Sequence, residues 1–283
     1  MRQTMTKHIK VSGQIVDNDT EQMFDFFGME CTSPKMVDSI LNDDDNSDPD
    51  IDTDTGGNEP EDVVVDIASN GGDVSAGSQI YTALRSYQGN VIVNVVGLAA
   101  SAASVIAMAG DKVRMSPTSQ LMIHKAMTSS YGNADDMNKA SSVLSKVDQS
   151  IASAYQAKTG MKQTDVLKMM QDETWMTADD AVRLGFADEI MFSNDDDDND
   201  ADADNPDTDD SNDVVDQLQF AAATTPVPRK DKVDDFIKMM KMMDFLKSES
   251  DKSQHSDFNK TIVTKSDTHK SLTQQKLDSL LND

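Results

Sequence analysis

Two short runs rich in β-branched residues, each followed by a turn and a helical stretch, limit this chain to a narrow group of folds. The runs lie at residues 63–67 and 90–96. Runs of this kind are typical of strands that are buried on both faces, as in parallel sheets. Glycine and then a stretch with helical character follow each run. This alternation predicts an α/β domain of βαβ units, with helices packed on a largely parallel sheet.

Further elements complete the predicted domain, which we place at residues 1–192. A period-2 alternation predicts a strand at residues 8–16. Additional strands are expected at 114–115 and 120–124, and helices at 33–41, 74–87, 101–109, 163–171 and 177–184. The helix predicted over residues 134–158 is the longest, and it carries an apolar stripe that includes Ile151 and Tyr155.

The formal net charge of −26 is concentrated in two acid tracts. Residues 43–62 hold ten acids and residues 195–216 hold twelve, and neither tract contains Lys or Arg. The rest of the chain carries 29 acids against 25 basic residues. Because acids repel phosphates, the composition excludes nucleic acid as an expected ligand. The first tract is too polar to bury enough apolar area to offset chain entropy, and we expect it to form a loop inside the domain.

The chain changes character after the domain. Residues 193–229 are expected to form a disordered linker, acidic at first and then rich in Thr and Pro, and residues 230–283 a flexible tail. Apolar residues at helical spacing predict an amphipathic helix over residues 232–247, and a last short helix is expected at 272–281. The apolar residues of the first helix include Val233, Phe236, Ile237, Met240 and Met243.

Cysteine content and hydropathy suggest the compartment. The single cysteine, Cys31, cannot form an internal disulfide, which fits a reducing cytoplasm. The longest apolar stretch, residues 91–110, is interrupted by polar residues and lacks the unbroken run of about 20 apolar residues that a membrane span needs. The N-terminus has no apolar signal core. We therefore expect no membrane partner.

Three segments place chemically active groups at predicted strand ends. Ser101 follows Gly97-Leu-Ala-Ala at the start of a helix, where free backbone N–H groups favour an oxyanion. His124 closes Leu121-Met-Ile and has the residue type that a general base needs near neutral pH. The turn at Gly71-Gly72 allows the backbone to approach a ligand closely. Taken singly, each segment also fits an ordinary role: a helix cap, a hydrogen-bonded strand end and a turn.

In this order and context, the three segments resemble the ClpP family of serine peptidases. The matching runs are Asp66-Ile-Ala-Ser-Asn-Gly71-Gly72-Asp-Val-Ser-Ala-Gly77, Gly97-Leu-Ala-Ala-Ser101-Ala-Ala-Ser104, Leu121-Met-Ile-His124 and Thr177-Ala-Asp-Asp-Ala-Val-Arg-Leu-Gly185-Phe-Ala-Asp188. The resemblance covers about residues 8–192. It implies a ClpP/crotonase-like α/β fold with a long protruding helix.

The resemblance assigns roles to individual residues. It implies that Ser101 is the nucleophile, that His124 is its general base, and that the N–H groups of Gly72 and Ala102 form the oxyanion hole. Ser104 is the nearest rival nucleophile, but one helical turn further on it should point elsewhere. The expected substrate-binding residues around the turn are Gly71, Asp73 and Val74. No metal and no cofactor are expected.

The third member of the triad is less well defined by the sequence. The family has an Asp shortly before its last core helix, and alignment on Ala178-Asp-Asp-Ala181 puts Glu173 at that position. Asp172 is adjacent and is the second choice. An exposed carboxylate at a helix end, without a catalytic role, is the alternative for either residue.

Some features look more like the ClpP-like head-maturation (prohead) proteases of tailed phages. These are the runs that contain Asp66-Ile-Ala-Ser-Asn and Glu173-Thr-Trp-Met, whereas the acid tracts and the tail are additions to the core of the housekeeping enzyme. That resemblance implies cleavage of scaffold and capsid proteins during procapsid maturation, in the cytoplasm of the bacterial host. It also implies a homo-oligomer, expected to be a ring, with the helix at 134–158 as a subunit contact. The tail is then a scaffold-like or targeting arm, or alternatively a disordered extension with one amphipathic helix.

Three other functions remain open at this point. A general ClpP subunit that works with a AAA+ unfoldase has the same chemistry, although the tail and the acid insert would crowd its chamber or docking surface. A non-enzymatic capsid-assembly protein could use the same fold. A crotonase-like acyl-CoA enzyme also needs backbone N–H donors, but it does not explain the pairing of Ser101 with His124.

Overall fold

The computed structural model describes residues 6–42, 61–193 and 230–256, and a mainly parallel sheet lies at the centre of this part of the chain. The strands in chain order are β1 (Lys7–Ile15), β2 (Cys31–Thr32), β3 (Val63–Gly72), β4 (Val91–Ala100), β5 (Lys112–Met115), β6 (Gln120–Ile123), β7 (Thr174–Thr177) and β8 (Glu189–Ile190). Their order across the sheet is β2-β1-β3-β4-β5-β8, and β6 and β7 branch from β4. The predicted α/β class is confirmed.

Eight helices belong to the described residues. They are α1 (Asn18–Phe26), α2 (Pro34–Leu41), α3 (Val74–Arg85), α4 (Ala102–Ala107), α5 (Ala134–Thr159), α6 (Gln163–Gln171), α7 (Ala178–Arg183) and α8 (Lys230–Ser256). The connections β3-α3-β4 and β4-α4-β5 join parallel strands through helices, as the spacing of the β-branched runs predicts. None of these helices has the length and apolar character that crossing a bilayer requires.

Strand β4 changes its neighbour half-way along its length. Residues 92–95 pair with β5, whereas Leu98–Ala100 pair with β6. All these pairings are parallel, and only β7 runs antiparallel, against β6. The fork therefore brings the carboxyl ends of β3, β4 and β6 to the same edge of the sheet, which is where ligands bind in open α/β sheets.

The main hydrophobic core lies on the faces of β3 and β4. Val63, Val65 and Ile67 of β3 are fully buried, and so are Val93 and Val95 of β4. The core continues into α3, α4 and the second half of α5. Because the strands are covered on both faces, the continuous β-branched runs follow directly from the packing.

The structure extends and adds to the predicted elements. β3 reaches Gly72 and β4 reaches Ala100, so the Gly-Gly turn and the residue before Ser101 are still paired in the sheet. Helix α1 was not predicted; Asp17 caps it by accepting from the Thr20 N–H at 2.7 Å. β7 was not predicted either, because its pairing depends on β6, which lies about 50 residues earlier in the chain.

The predicted amphipathic helix of the tail is present as α8 and packs against the rest of the chain. Val233 and Phe236 are buried in a small cluster with Val16, Met23 and Phe24. The Phe236 ring also contacts the exposed rings of the Phe pair at residues 26–27, with centroid distances of 5.3 and 5.8 Å. The boundary at residue 192, the acid loop and the helix at 272–281 stay predictions, because residues 43–60, 194–229 and 257–283 lie outside the described part.

Candidate active site

Ser101 and His124 come together because β4 and β6 are parallel neighbours. Ala100 pairs with Met122 in the register of these strands. The Ser101 N–H donates to the Met122 carbonyl at 3.0 Å, which continues the pairing by one step. Ser101 directly follows β4 and His124 directly follows β6, so the two side chains lie at the same edge of the sheet.

The two side chains are in hydrogen-bond contact. The Ser101 Oγ lies 2.7 Å from the His124 Nε2. Ser101 occupies the N-cap position of α4, yet its side chain makes no cap hydrogen bond. Its backbone has φ 55° and ψ −124°, a conformation that costs a non-glycine residue about 1–3 kcal/mol. The ordinary role of a helix cap is therefore excluded, and the strained turn instead presents the hydroxyl to the imidazole.

Burial of His124 favours the neutral form of its imidazole. Burial lowers the pKa of His124 below the ordinary 6.5, and the negative charges of Glu173 and Asp148 oppose this shift in part. A neutral imidazole has a free nitrogen lone pair, which is what a proton acceptor needs. The pair can therefore transfer a proton from Ser101 to His124 near neutral pH.

The Gly-Gly turn lies directly against the Ser101 backbone. A Cβ on Gly71 would be 2.8 Å from the Ser101 Cβ and 2.9 Å from the Ala102 N. Gly71 has φ 92°, and the Ser69 Oγ accepts from its N–H at 3.1 Å. A Cβ on Gly72 would be 2.1 Å from the Ile15 O. Only glycine fits at these two positions, so the sequence requirement follows from close backbone approach.

The remaining predicted binding residues divide into two kinds. The Asp73 side chain caps α3 and accepts from the Ala76 N–H at 2.7 Å, so its carboxylate is already engaged. Val74 lines a narrow pocket beside Ser101. The other residues that line this pocket are Gly77, Ala102, Val105, His124, Ala126, Ile151 and Tyr155. Apart from Ser101 and His124, the residues that line this pocket are apolar or aromatic.

The two candidate carboxylates differ in their relation to His124. Glu173 is the charge with the largest effect on His124, whereas Asp172 is not among the charges that act on it. The two described side chains of Glu173 and His124 do not form a direct hydrogen bond; the Glu173 Oε1 accepts from the Trp175 Nε1 at 3.4 Å. Both candidates are exposed. The structure thus brings Glu173, rather than Asp172, into the electrostatic environment of the imidazole.

Comparisons with known proteins identify the relatives of this site. The family model described as Clp protease matches residues 56–194. The ATP-dependent Clp protease proteolytic subunit of Deinococcus radiodurans is 31% identical over 136 residues, which cover 47% of this chain and 67% of that protein. Proteolytic subunit 1 of Chlamydia abortus is 33% identical over 138 residues, or 47% of this chain and 72% of that protein. The chain belongs to the Clp protease family.

Membership of the Clp protease family makes this protein a serine peptidase of the ClpP type. The matched span includes Ser101, His124 and Glu173. The proteolytic subunit of Bacteroides fragilis, 32% identical over 132 residues, covers 46% of this chain and 64% of that protein. The matched span ends at residue 194, so α8 lies beyond the segment that this chain shares with the family.

Two residues of this Clp protease site were missed by the sequence analysis. Asp148 of α5 is buried, and its Oδ1 accepts from the Ala126 N–H at 2.9 Å, two residues after His124. Tyr155 forms part of the pocket wall and is also buried. The apolar stripe of α5 placed Tyr155 in the core, but the position of α5 relative to β6 depends on tertiary packing. The local signal for Asp148 is that a charged residue occurs among the apolar residues of the α5 stripe.

Ser104 is not a rival nucleophile. Its side chain is fully buried, and its hydroxyl donates to the Ser101 carbonyl at 2.6 Å. The prediction that it points away from the site is therefore confirmed. Among the described residues, no group of three or more His, Cys, Asp or Glu side chains is arranged to hold a metal ion.

Proposed function

We propose that this protein is a serine endopeptidase that uses Ser101 and His124 to cleave scaffold and capsid proteins during procapsid maturation of a tailed phage. The observation that carries the catalytic part is the 2.7 Å contact between the Ser101 Oγ and the His124 Nε2. The pair lies beside the Gly71-Gly72 turn, where the packing leaves no space for a side chain.

The reaction follows from this geometry. His124 takes the proton of the Ser101 hydroxyl while the Oγ attacks the peptide carbonyl carbon, and the N–H groups of Ala102 and Gly72 stabilise the oxyanion. The imidazolium then donates its proton to the leaving amine nitrogen as the C–N bond breaks. Water attacks the acyl-serine with His124 again as base, which releases the carboxylate product and restores the Ser101 hydroxyl.

The pocket supports a preference for an apolar side chain next to the scissile bond. Val105 and Ile151 contribute apolar walls, and Gly77 leaves space that a larger residue would fill. A Cβ on Gly77 would already be 3.0 Å from the Ala102 Cβ. A charged side chain would enter this pocket without a partner for its charge, at a substantial desolvation cost.

Features outside the shared Clp protease segment support the maturation role. The family model matches to residue 194, whereas this chain continues to residue 283 and packs α8 on α1 and the end of β1. The tail that contains α8 is suited to recruit the peptidase to an assembling capsid. It packs on the peptidase domain through α8, and its remaining residues can bind other proteins. The substrates would then be the proteins of that shell, and the protein would act in the cytoplasm of the bacterial host, associated with procapsids.

We also propose a ring-forming homo-oligomer with α5 as a subunit contact. The first half of α5 leaves the apolar side chains of Met137 and Val143 exposed, at 37% and 53%. Exposed apolar residues on one long helix are typical of an interface between copies.

The test is co-expression with candidate scaffold and capsid proteins, analysed by intact mass. We expect shortened products with the wild type and none with Ser101→Ala. Ser39→Ala removes a serine hydroxyl on the exposed face of α2 and should cleave as the wild type does. Cleavage that persists in Ser101→Ala would overturn the assigned nucleophile. Intact capsid proteins beside an enzyme that reacts with a fluorophosphonate at Ser101 would overturn the substrate assignment alone.

A second candidate function is that of a proteolytic subunit that works with a AAA+ unfoldase. The observation in its favour is that the relatives from Deinococcus and Chlamydia are named as subunits of ATP-dependent proteases. ATP-dependent breakdown of a folded substrate, together with co-purification of an ATPase, would favour this candidate over the capsid protease.

A further inference from the structure

A buried pair of hydroxyl groups connects α5 to the nucleophile turn. The Ser104 Oγ lies 2.6 Å from the Ser101 carbonyl oxygen and 2.8 Å from the Tyr155 hydroxyl oxygen. A carbonyl oxygen only accepts hydrogen bonds, so the single hydroxyl proton of Ser104 must go to Ser101. Tyr155 is therefore the donor to Ser104. Burial raises the pKa of Tyr155, which keeps this donor protonated over the working pH range.

The Ser101 carbonyl oxygen accepts hydrogen bonds from three donors. Besides the Ser104 hydroxyl, the N–H groups of Ser104 and Val105 donate to it, at 3.0 and 3.3 Å. The two backbone donors already close the first turn of α4. The hydroxyl contact is thus an addition that the helix itself does not require.

The orientation of this carbonyl controls the neighbouring N–H group. The C=O of Ser101 and the N–H of Ala102 belong to one planar peptide unit and point in opposite directions. Fixing the carbonyl therefore fixes the direction of the Ala102 N–H. Because Ser101 has a strained backbone with φ 55° and ψ −124°, this peptide would otherwise relax toward a common conformation.

We propose that Tyr155 and Ser104 are positioning residues that hold the Ala102 N–H toward the oxyanion of the transition state. The inference rests on the proposed roles of Ser101 and Ala102. Neither hydroxyl touches the substrate: both side chains are buried, and the Tyr155 hydroxyl is engaged with Ser104.

The expected signature is a loss of kcat with KM little changed. An oxyanion donor acts in the transition state rather than on the bound substrate, so misalignment lowers the rate of the chemical step. Loss of one whole donor costs roughly 100- to 1,000-fold in kcat, and a donor that is only misaligned should cost about tenfold. The pH profile should keep its acid limb, because neither substitution touches His124.

The experiment measures kcat and KM for a generic fluorogenic peptide in Ser104→Ala, Tyr155→Phe and the double variant. Tyr155→Phe keeps the ring that lines the pocket and removes only the hydroxyl. Because Tyr155 acts through Ser104, the double variant should be no slower than Ser104→Ala. Binding of a peptide boronate, which forms a tetrahedral adduct, should weaken in parallel with kcat, whereas binding of the peptide product should not.

Two controls separate positioning from general damage. Tyr87→Phe removes a hydroxyl that donates to the Glu61 carbonyl at 2.9 Å, and Ser39→Ala removes a serine hydroxyl on α2. Both should retain the wild-type kcat. If Ser104→Ala fails to fold, Tyr155→Phe with a thermal melt decides the question by itself.

Several outcomes would overturn the inference. Unchanged kcat in Tyr155→Phe, or an effect confined to KM, would limit the pair to packing of the pocket. A double variant slower than Ser104→Ala, for example by the product of the single effects, would show independent action and break the proposed chain. Full turnover by Ser101→Ala would refute the proposed nucleophile and the inference together. The peptide is generic, so the result does not depend on whether capsid proteins are the substrates.

Discussion

Glu173 and His124 each lie one residue beyond the last pair of the antiparallel ladder between β6 and β7. That last pair joins Ile123 to Thr174, and the negative charge of Glu173 acts on the His124 imidazole. Glu173 has φ 48°, an unusual value for a non-glycine residue, which fits a position held by its surroundings. Asp172 lies one residue earlier, at the C-cap of α6.

The register predicts that Glu173, not Asp172, supports the imidazole. We expect Glu173→Gln to lower kcat/KM by at least about tenfold, because the negative charge that stabilises the imidazolium is removed. Asp172→Asn is the matched control and should stay within about twofold of the wild type. Steady-state kinetics with a peptide substrate make the comparison. Equal, negligible effects would leave a Ser101–His124 dyad instead of a triad.

The pH dependence of activity should follow His124. Catalysis needs the neutral imidazole, and burial lowers the pKa of this group below 6.5. Activity should therefore be full above that pKa and fall as the pH drops through it, with a midpoint below 6.5. Glu173→Gln should move the acid limb to lower pH, because the Glu173 charge raises the pKa of His124. The profile of kcat/KM measures both effects, and a shift to higher pH would contradict this account.

The glycine turn offers a prediction with a control of similar backbone strain. Gly71→Ala should reduce activity by more than about 100-fold, because the new Cβ would meet the Ser101 Cβ and the Ala100 O and displace the oxyanion donors. Gly160 has φ 71° and no atom within 4 Å of an added Cβ. Gly160→Ala should lose only about 1–2 kcal/mol of stability and keep the wild-type kcat. Thermal melts compare the stability of the two variants, and peptide hydrolysis compares their activity. Equal activities would contradict the close approach of the Gly71 backbone to Ser101.

Docking of α8 should depend on Phe236. This side chain is 7% exposed and contacts the rings of Phe26 and Phe27. Loss of a buried phenylalanine costs about 3–5 kcal/mol, so Phe236→Ala should release α8 while the core stays folded. Met243→Ala, at a position that is 47% exposed on the same helix, is the control. Amide hydrogen exchange over residues 230–256 should rise in the first variant only. Unchanged protection would mean that α8 is held by other contacts.

The proposed ring can be tested on α5. Val143→Asp places a charge at an exposed apolar position in the first half of the helix. We expect a smaller sedimenting species and lower peptidase activity. Lys139→Asp changes charge on the same helix without removing an apolar contact, and it controls for charge alone. A monomeric wild type with full activity would contradict the ring.

Local patterns carried a large part of the fold and of the site. The β-branched runs predicted β3 and β4 because strands buried on both faces admit few polar residues. Ser101 and His124 were found because each directly follows a strand, and the Gly-Gly turn because it ends one, so their positions at the sheet edge depend on a few neighbouring residues. The acidic tracts and the helical spacing of the tail could be described in the same local way.

Only the tertiary structure decided how distant segments meet. The fork of β4 toward β5 and β6, the register that favours Glu173 over Asp172, and the contact of Tyr155 with Ser104 join residues that are 20 to 57 positions apart. The same holds for the pKa of His124, which depends on burial and on the charges of Glu173 and Asp148. By itself the sequence determined which residue types occupy the strand ends. Packing and strand register, which no local pattern contains, decided which of those residues touch.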